Sequence, residues 1–64
     1  MTQQIKDTLA ALHRGQQVTV TYDGKFEQQR LRVTGTVVTV DHFWKTLQIN
    51  KVGIDFSEIY DIEI

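Results

Sequence analysis

The hydrophobic period of this chain changes at Gly15 and Gln16, and that change limits what the chain can fold into. Before it, Ile5, Leu9 and Leu12 recur at i, i+4 and i+7, which places them on one stripe of a short helix predicted over residues 3 to 14. Thr2 can cap its start, His13 and Arg14 stand where positive charge suits the helix dipole, and Gly15 supplies a left-handed stop. After it, Val18, Val20 and Tyr22 alternate with Thr19 and Thr21, the period-two pattern of a half-buried strand. A helix with a single apolar stripe needs a partner surface, and strands with one apolar face provide it.

The rest of the chain keeps the strand period. Asp23 and Gly24 form the strongest hairpin signal, although the polar stretch as far as Gln29 points to a loop longer than two residues. A long strand is expected from Arg30 to Asp41. Leu31, Val33, Val37, Val38 and Val40 cannot all lie on one face of it, so the phase is expected to slip near Gly35 to Val38, with a bend or bulge at the glycine. Leu47 and Ile49 mark a third strand, NKVG breaks the run, and Ile54 and Phe56 mark a fourth. Tyr60, Ile62 and Ile64 read as the inward residues of a fifth, with Asp61 and Glu63 facing out. One helix followed by five short strands, one of them long enough to bend across two sheets, is the layout of a small closed or nearly closed β-barrel.

With 64 residues the chain is read as one domain, residues 1–64. A domain of this size buries only about 60% of the surface its unfolded chain exposes. The sequence contains no cysteine, so a disulfide cannot supplement that thin core and self-association is the remaining source of buried surface. A homo-oligomer is therefore expected. No apolar run approaches the ~20 residues of a membrane span, and the first residues do not read as a signal peptide; the expected location is the cytoplasm. Residues 1 to 40 carry five Lys/Arg against three Asp/Glu, and residues 41 to 64 carry two against five. Arg30 and Arg32 share one strand face, but a nucleic-acid binder usually shows a clearer basic excess.

The segment DHFWKT, residues 41 to 46, holds the only tryptophan. Its neighbours Val40 and Leu47 both belong to a core, so it reads as a hairpin turn. Asp41 accepts backbone N–H groups at its head, and His42 to Lys45 are presented at the tip. His42 has no second histidine at ligand spacing and no serine or cysteine beside it, so neither a metal centre nor a catalytic residue is expected, nor any cofactor. Two functional classes stay open, and an enzyme is not expected. One is an interaction module that docks a protein, or its own copies, through sheet edges and this turn. The other is a single-strand nucleic-acid binder in which Phe43 or Trp44 stacks a base while Lys45, Lys25, Arg30 and Arg32 meet phosphates.

The stretch GTVVTVDHFWKTLQI resembles the first signature of Sm-like proteins, with Gly35, Val37, Val40, Asp41, Trp44 and Leu47 or Ile49 at matching places. VTVTY, VTGTVVTVD, KTLQI and FSEIYDIEI resemble the YolD-like family of small bacterial and phage proteins, over roughly residues 5 to 64. The resemblance implies a mainly β fold: an N-terminal helix followed by a five-stranded, strongly bent Sm-like or SH3-like small barrel. It also implies a presumed accessory role in DNA-damage responses, with an error-prone DNA polymerase as a candidate partner. Three residues depart from the Sm pattern. Lys45 stands where the base-reading asparagine is usual, and Asp55 and Phe56 stand where arginine and glycine precede the last strand. An acidic side chain there repels phosphate.

Overall fold

A computed structural model describes residues 2–26 and 28–64. Helix α1 spans Gln3–Ala11, and the strands are β1 Gln17–Asp23, β2 Arg30–Asp41, β3 Thr46–Ile49, β4 Val52–Asp55 and β5 Ile59–Glu63. A single 3₁₀ turn, Phe56–Glu58, links β4 to β5. All pairings are antiparallel, in one sheet of order β4-β3-β2-β1-β5. The chain is thus mainly β with one N-terminal helix, as its periods predict.

The sheet is open: among the described residues no ladder joins β4 to β5. It is not flat, however. A straight strand of twelve residues would run about 36 Å at ~3.3 Å per residue, yet the longest dimension of the molecule is 29 Å, so β2 bends. The short link gives the same result, since a 3₁₀ turn rising ~2 Å per residue carries the chain about 8 Å while the edges of a flat five-stranded sheet stand about 19 Å apart. Curling brings the two edge strands towards each other at that link. Ile5, Leu9 and Leu12 pack with Val18, Val20, Val37, Leu47, Ile49, Ile54, Phe56 and Ile59 in one buried cluster.

Four sequence expectations need correction. The helix ends at Ala11 rather than Arg14, because Leu12 turns to extended backbone and is buried 8% exposed; His13 and Arg14 therefore lie beyond the helix. Thr2 does cap it, its Oγ1 accepting the Ile5 N–H at 3.2 Å. Gly15 does adopt a left-handed φ of 91°, but in the connection to β1, where its N–H donates to the Val37 carbonyl at 2.8 Å.

The phase slip in β2 falls within the expected stretch, at Val38, but the bulge is not at the glycine. Val37 faces Ile49 and Thr39 faces Gln48, leaving Val38 as the extra residue of a bulge. Gly35 pairs regularly with Val18. A Cβ there would overlap the carboxamide of Asn50, so close approach of a side chain, not a backbone bend, requires the glycine.

NKVG is not a break throughout: only Asn50 and Lys51 turn, and Val52 and Gly53 already belong to β4. Phe56 then leaves the strand for the 3₁₀ turn, although it remains buried.

In β5 the expected alternation holds for Ile62, which packs against the core, and for Asp61 and Glu63, which are exposed, but a second bulge changes it at Tyr60. Tyr22 faces Ile59 and Thr21 faces Asp61, so Tyr60 is the extra residue. Ile59 enters the core while Tyr60 and Ile64 are exposed.

Candidate recognition site

The β2–β3 turn, His42–Lys45, follows a strand that ends with Asp41. Aspartate is favoured there because its short carboxylate reaches the amides two and three residues on. One oxygen, Oδ1, accepts both the Phe43 and Trp44 N–H groups at 2.9 Å. The turn closes with Lys45 at φ 59°, and the Lys45 carbonyl accepts the Phe56 N–H at 2.8 Å. Two independent sets of bonds therefore hold the turn, one local and one to the 3₁₀ link.

The braced backbone projects its aromatic side chains outward. Phe43 is 82% and Trp44 72% exposed, and their rings meet edge to face at 5.0 Å and 89°. Edge-to-face contact is a favoured arrangement of two aromatic rings, and here it is made without burying them. His42 points the other way, its ring edge-on to Phe56 at 5.9 Å and 70°.

The other sequence-predicted cations do not join this turn. Arg30 begins β2 and the turn follows its last residue, so the two stand at opposite ends of the longest strand. Arg30 Nε lies 3.2 Å from the Asp23 carboxylate, and its guanidinium covers the Tyr60 ring at 3.7 Å. Arg32 lies 3.5 Å from Glu63. Lys25, in the loop after Gly24, reaches Asp55 at 2.7 Å. The hydrogen bond that Lys25 donates to that carboxylate, then the carboxylate's charge and that of Glu58, raise the Lys25 pKa above the ordinary lysine value. Any stability from this pair is complete below the ordinary lysine pKa and is lost as pH rises through the raised one. Exposed pairs of this kind contribute little to stability, but each sets an acid beside a cation that would otherwise face phosphate. Gly24 donates its N–H to the Gln29 carbonyl at 3.0 Å, closing the long loop.

Sequence reasoning missed three residues. Phe26 is 90% exposed in the β1–β2 loop. Asn50, at φ 51°, takes the Thr36 N–H on its Oδ1 at 3.1 Å and donates its own N–H to the Thr36 carbonyl at 3.0 Å. Lys6 joins Lys45 and His42 around a hollow beside the turn. Only Asn50 carried a signal, since asparagine tolerates left-handed backbone better than most residues.

Among the described residues no three of His, Asp and Glu gather as they would around a metal ion, and no helix is long and apolar enough to cross a membrane. Compared with protein-family models, curated proteins and solved structures, the chain matches none of them. The arrangement that results is a small, open, curled sheet bearing a rigid aromatic turn.

Proposed function

We propose that the chain is a small non-enzymatic interaction module of the YolD-like type that docks a protein partner through the β2–β3 turn. The observation that carries this reading is the Phe43–Trp44 pair, exposed yet fixed on a turn braced by Asp41 and Phe56. Aromatic anchors that are ordered before binding lose little entropy on burial, and such residues dominate interface energetics. The strand order, the bent β2 and the short β4–β5 link support an Sm-like small barrel as the scaffold. From the resemblance, the partner would be a DNA polymerase or another protein of the DNA-damage response, met in the cytoplasm. Strands β4 and β5 each have a neighbour on one side only, and such edges support a homo-oligomer.

A second reading is an Sm-like oligomer that binds single-stranded RNA or DNA. It rests on Lys45 beside the two rings, an arrangement that would stack a base and meet its phosphate. The protein reading is preferred because Lys25, Arg30 and Arg32 already face carboxylates.

Salt and substitution distinguish the two. Under the protein reading, the immobilised domain retains its partner from host extract across a rise from low to physiological salt. The Trp44→Ala, Lys45→Ala variant should lose that partner, and a labelled single strand should bind negligibly. Steep salt weakening of single-strand binding, with a Trp44→Ala cost of about 1–3 kcal/mol, would establish the second reading instead.

A further inference from the structure

Helix α1, the β2–β3 turn and the 3₁₀ link enclose a notch of ≈ 290 Å³, lined by Lys6, Leu9, Ala10, His42, Lys45 and Phe56. Its floor is apolar: Leu9 is 2% and Phe56 5% exposed, and His42 stands edge-on to the Phe56 ring. Its rim is cationic, with Lys6 from the helix and Lys45 from the turn, and no carboxylate lines it. Neighbouring hollows differ in that respect. The one between α1 and β5 includes Asp61, the one under the β1–β2 loop includes Asp23 and Glu58, and the one on the β2–β4 face includes Asp41 and Asp55. The backbone beside the notch is already satisfied, since the Phe56 N–H donates to Lys45. A ligand would thus meet an apolar surface and two ammonium groups.

We propose that this notch binds a small free organic anion: an aromatic or branched aliphatic body on Leu9, Ala10 and Phe56, with a carboxylate or sulfonate between Lys6 and Lys45. Apolar lining with few convergent polar groups is the usual makeup of a small-ligand site, and this volume suits a ligand at the small end of the range. The charge complementarity selects an anion over a neutral molecule of the same shape. This inference goes beyond the aromatic surface, because neither Phe43 nor Trp44 lines the notch.

Three probes of one shape and different head charge test it: 4-phenylbutyrate, 4-phenylbutan-1-ol and 4-phenylbutylamine, titrated into the full chain and followed by amide NMR shifts. The carboxylate should perturb Leu9, Ala10, His42 and Phe56 and bind most tightly. Lys6→Ala and Lys45→Ala should each weaken it about two- to fivefold, as loss of an exposed charge pair does. Lys6→Glu with Lys45→Glu should reverse the order in favour of the amine, while Lys51→Glu, the same charge change away from the notch, should leave it intact. Equal binding of acid and alcohol, scattered shifts or none at millimolar probe would overturn the proposal. So would notch shifts that grow with protein concentration alone, which would place a second copy there instead.

Discussion

At the β2–β3 turn Lys45 adopts φ 59°, and at the β3–β4 turn Asn50 adopts φ 51°. The backbones are alike, but the side chains serve opposite ends. Asn50 turns its carboxamide inward, accepts the Thr36 N–H and fills the space above Gly35. Lys45 keeps its side chain at the surface, on the rim of the hollow it shares with Lys6 and His42. Asparagine suits left-handed backbone and lysine does not, so the β3–β4 turn combines a favoured residue with a structural contact while the β2–β3 turn carries a disfavoured residue whose side chain makes no such contact. Residues held in disfavoured backbone by a well-braced turn concentrate at functional sites. One turn is tied to the fold, and the other is the one we propose for recognition.

The largest effect is expected at the inward turn. Gly35→Val should cost about 1–3 kcal/mol, because the new side chain displaces the Asn50 carboxamide and leaves the Thr36 N–H without its acceptor. In a domain this small each kcal/mol lowers the thermal midpoint by about 4–8 °C. Asn50→Gly alone should cost about 0.5–1.5 kcal/mol for its lost hydrogen bond. Combined with Gly35→Val it should cost less than the sum, because the clash is gone. Strict additivity in the double-mutant cycle would break the link drawn between these two residues.

These two turns also show what was legible beforehand. The β2–β3 turn was, because Asp41 acts on amides two and three residues away and the flanking Val40 and Leu47 fix its place. The role of Asn50 was not, because its partner Thr36 is fourteen residues distant and no local pattern encodes such a contact. Bulges explain the misplaced phases. Alternation locates the β2 slip to the stretch from Gly35 to Val38 but does not show which residue is extra, and it gives no sign of the bulge at Tyr60. The helix was read too long because Leu12 reaches the core equally well from extended backbone, and once it does so the helix stops. The notch was invisible, since Lys6, His42 and Phe56 meet only through the fold.

An intermediate effect is expected at the turn's brace. Asp41→Ala leaves two amides without their acceptor, and should cost about 1 kcal/mol by thermal melt. It should also loosen the ring pair, seen as loss of the Phe43–Trp44 aromatic cross-peaks in NMR. Unchanged cross-peaks would mean that the rings order themselves without the brace.

A smaller effect of opposite sign is expected at Lys45. Lys45→Gly relieves the left-handed strain and should raise stability by about 0.5–1 kcal/mol, while weakening partner binding. A stability loss on that substitution would show that the lysine side chain supports the fold, and the contrast with Asn50 would fail.

The most direct test of the division between the turns is the thermal midpoint of the Phe43→Ala, Trp44→Ala double variant, measured beside Gly35→Val. Removing two exposed rings should change stability by no more than about 0.5 kcal/mol per site, leaving the midpoint within a few degrees of the parent and well above that of Gly35→Val. A midpoint as low as that of Gly35→Val would mean that the aromatic pair is part of the fold, and would contradict its assignment to recognition.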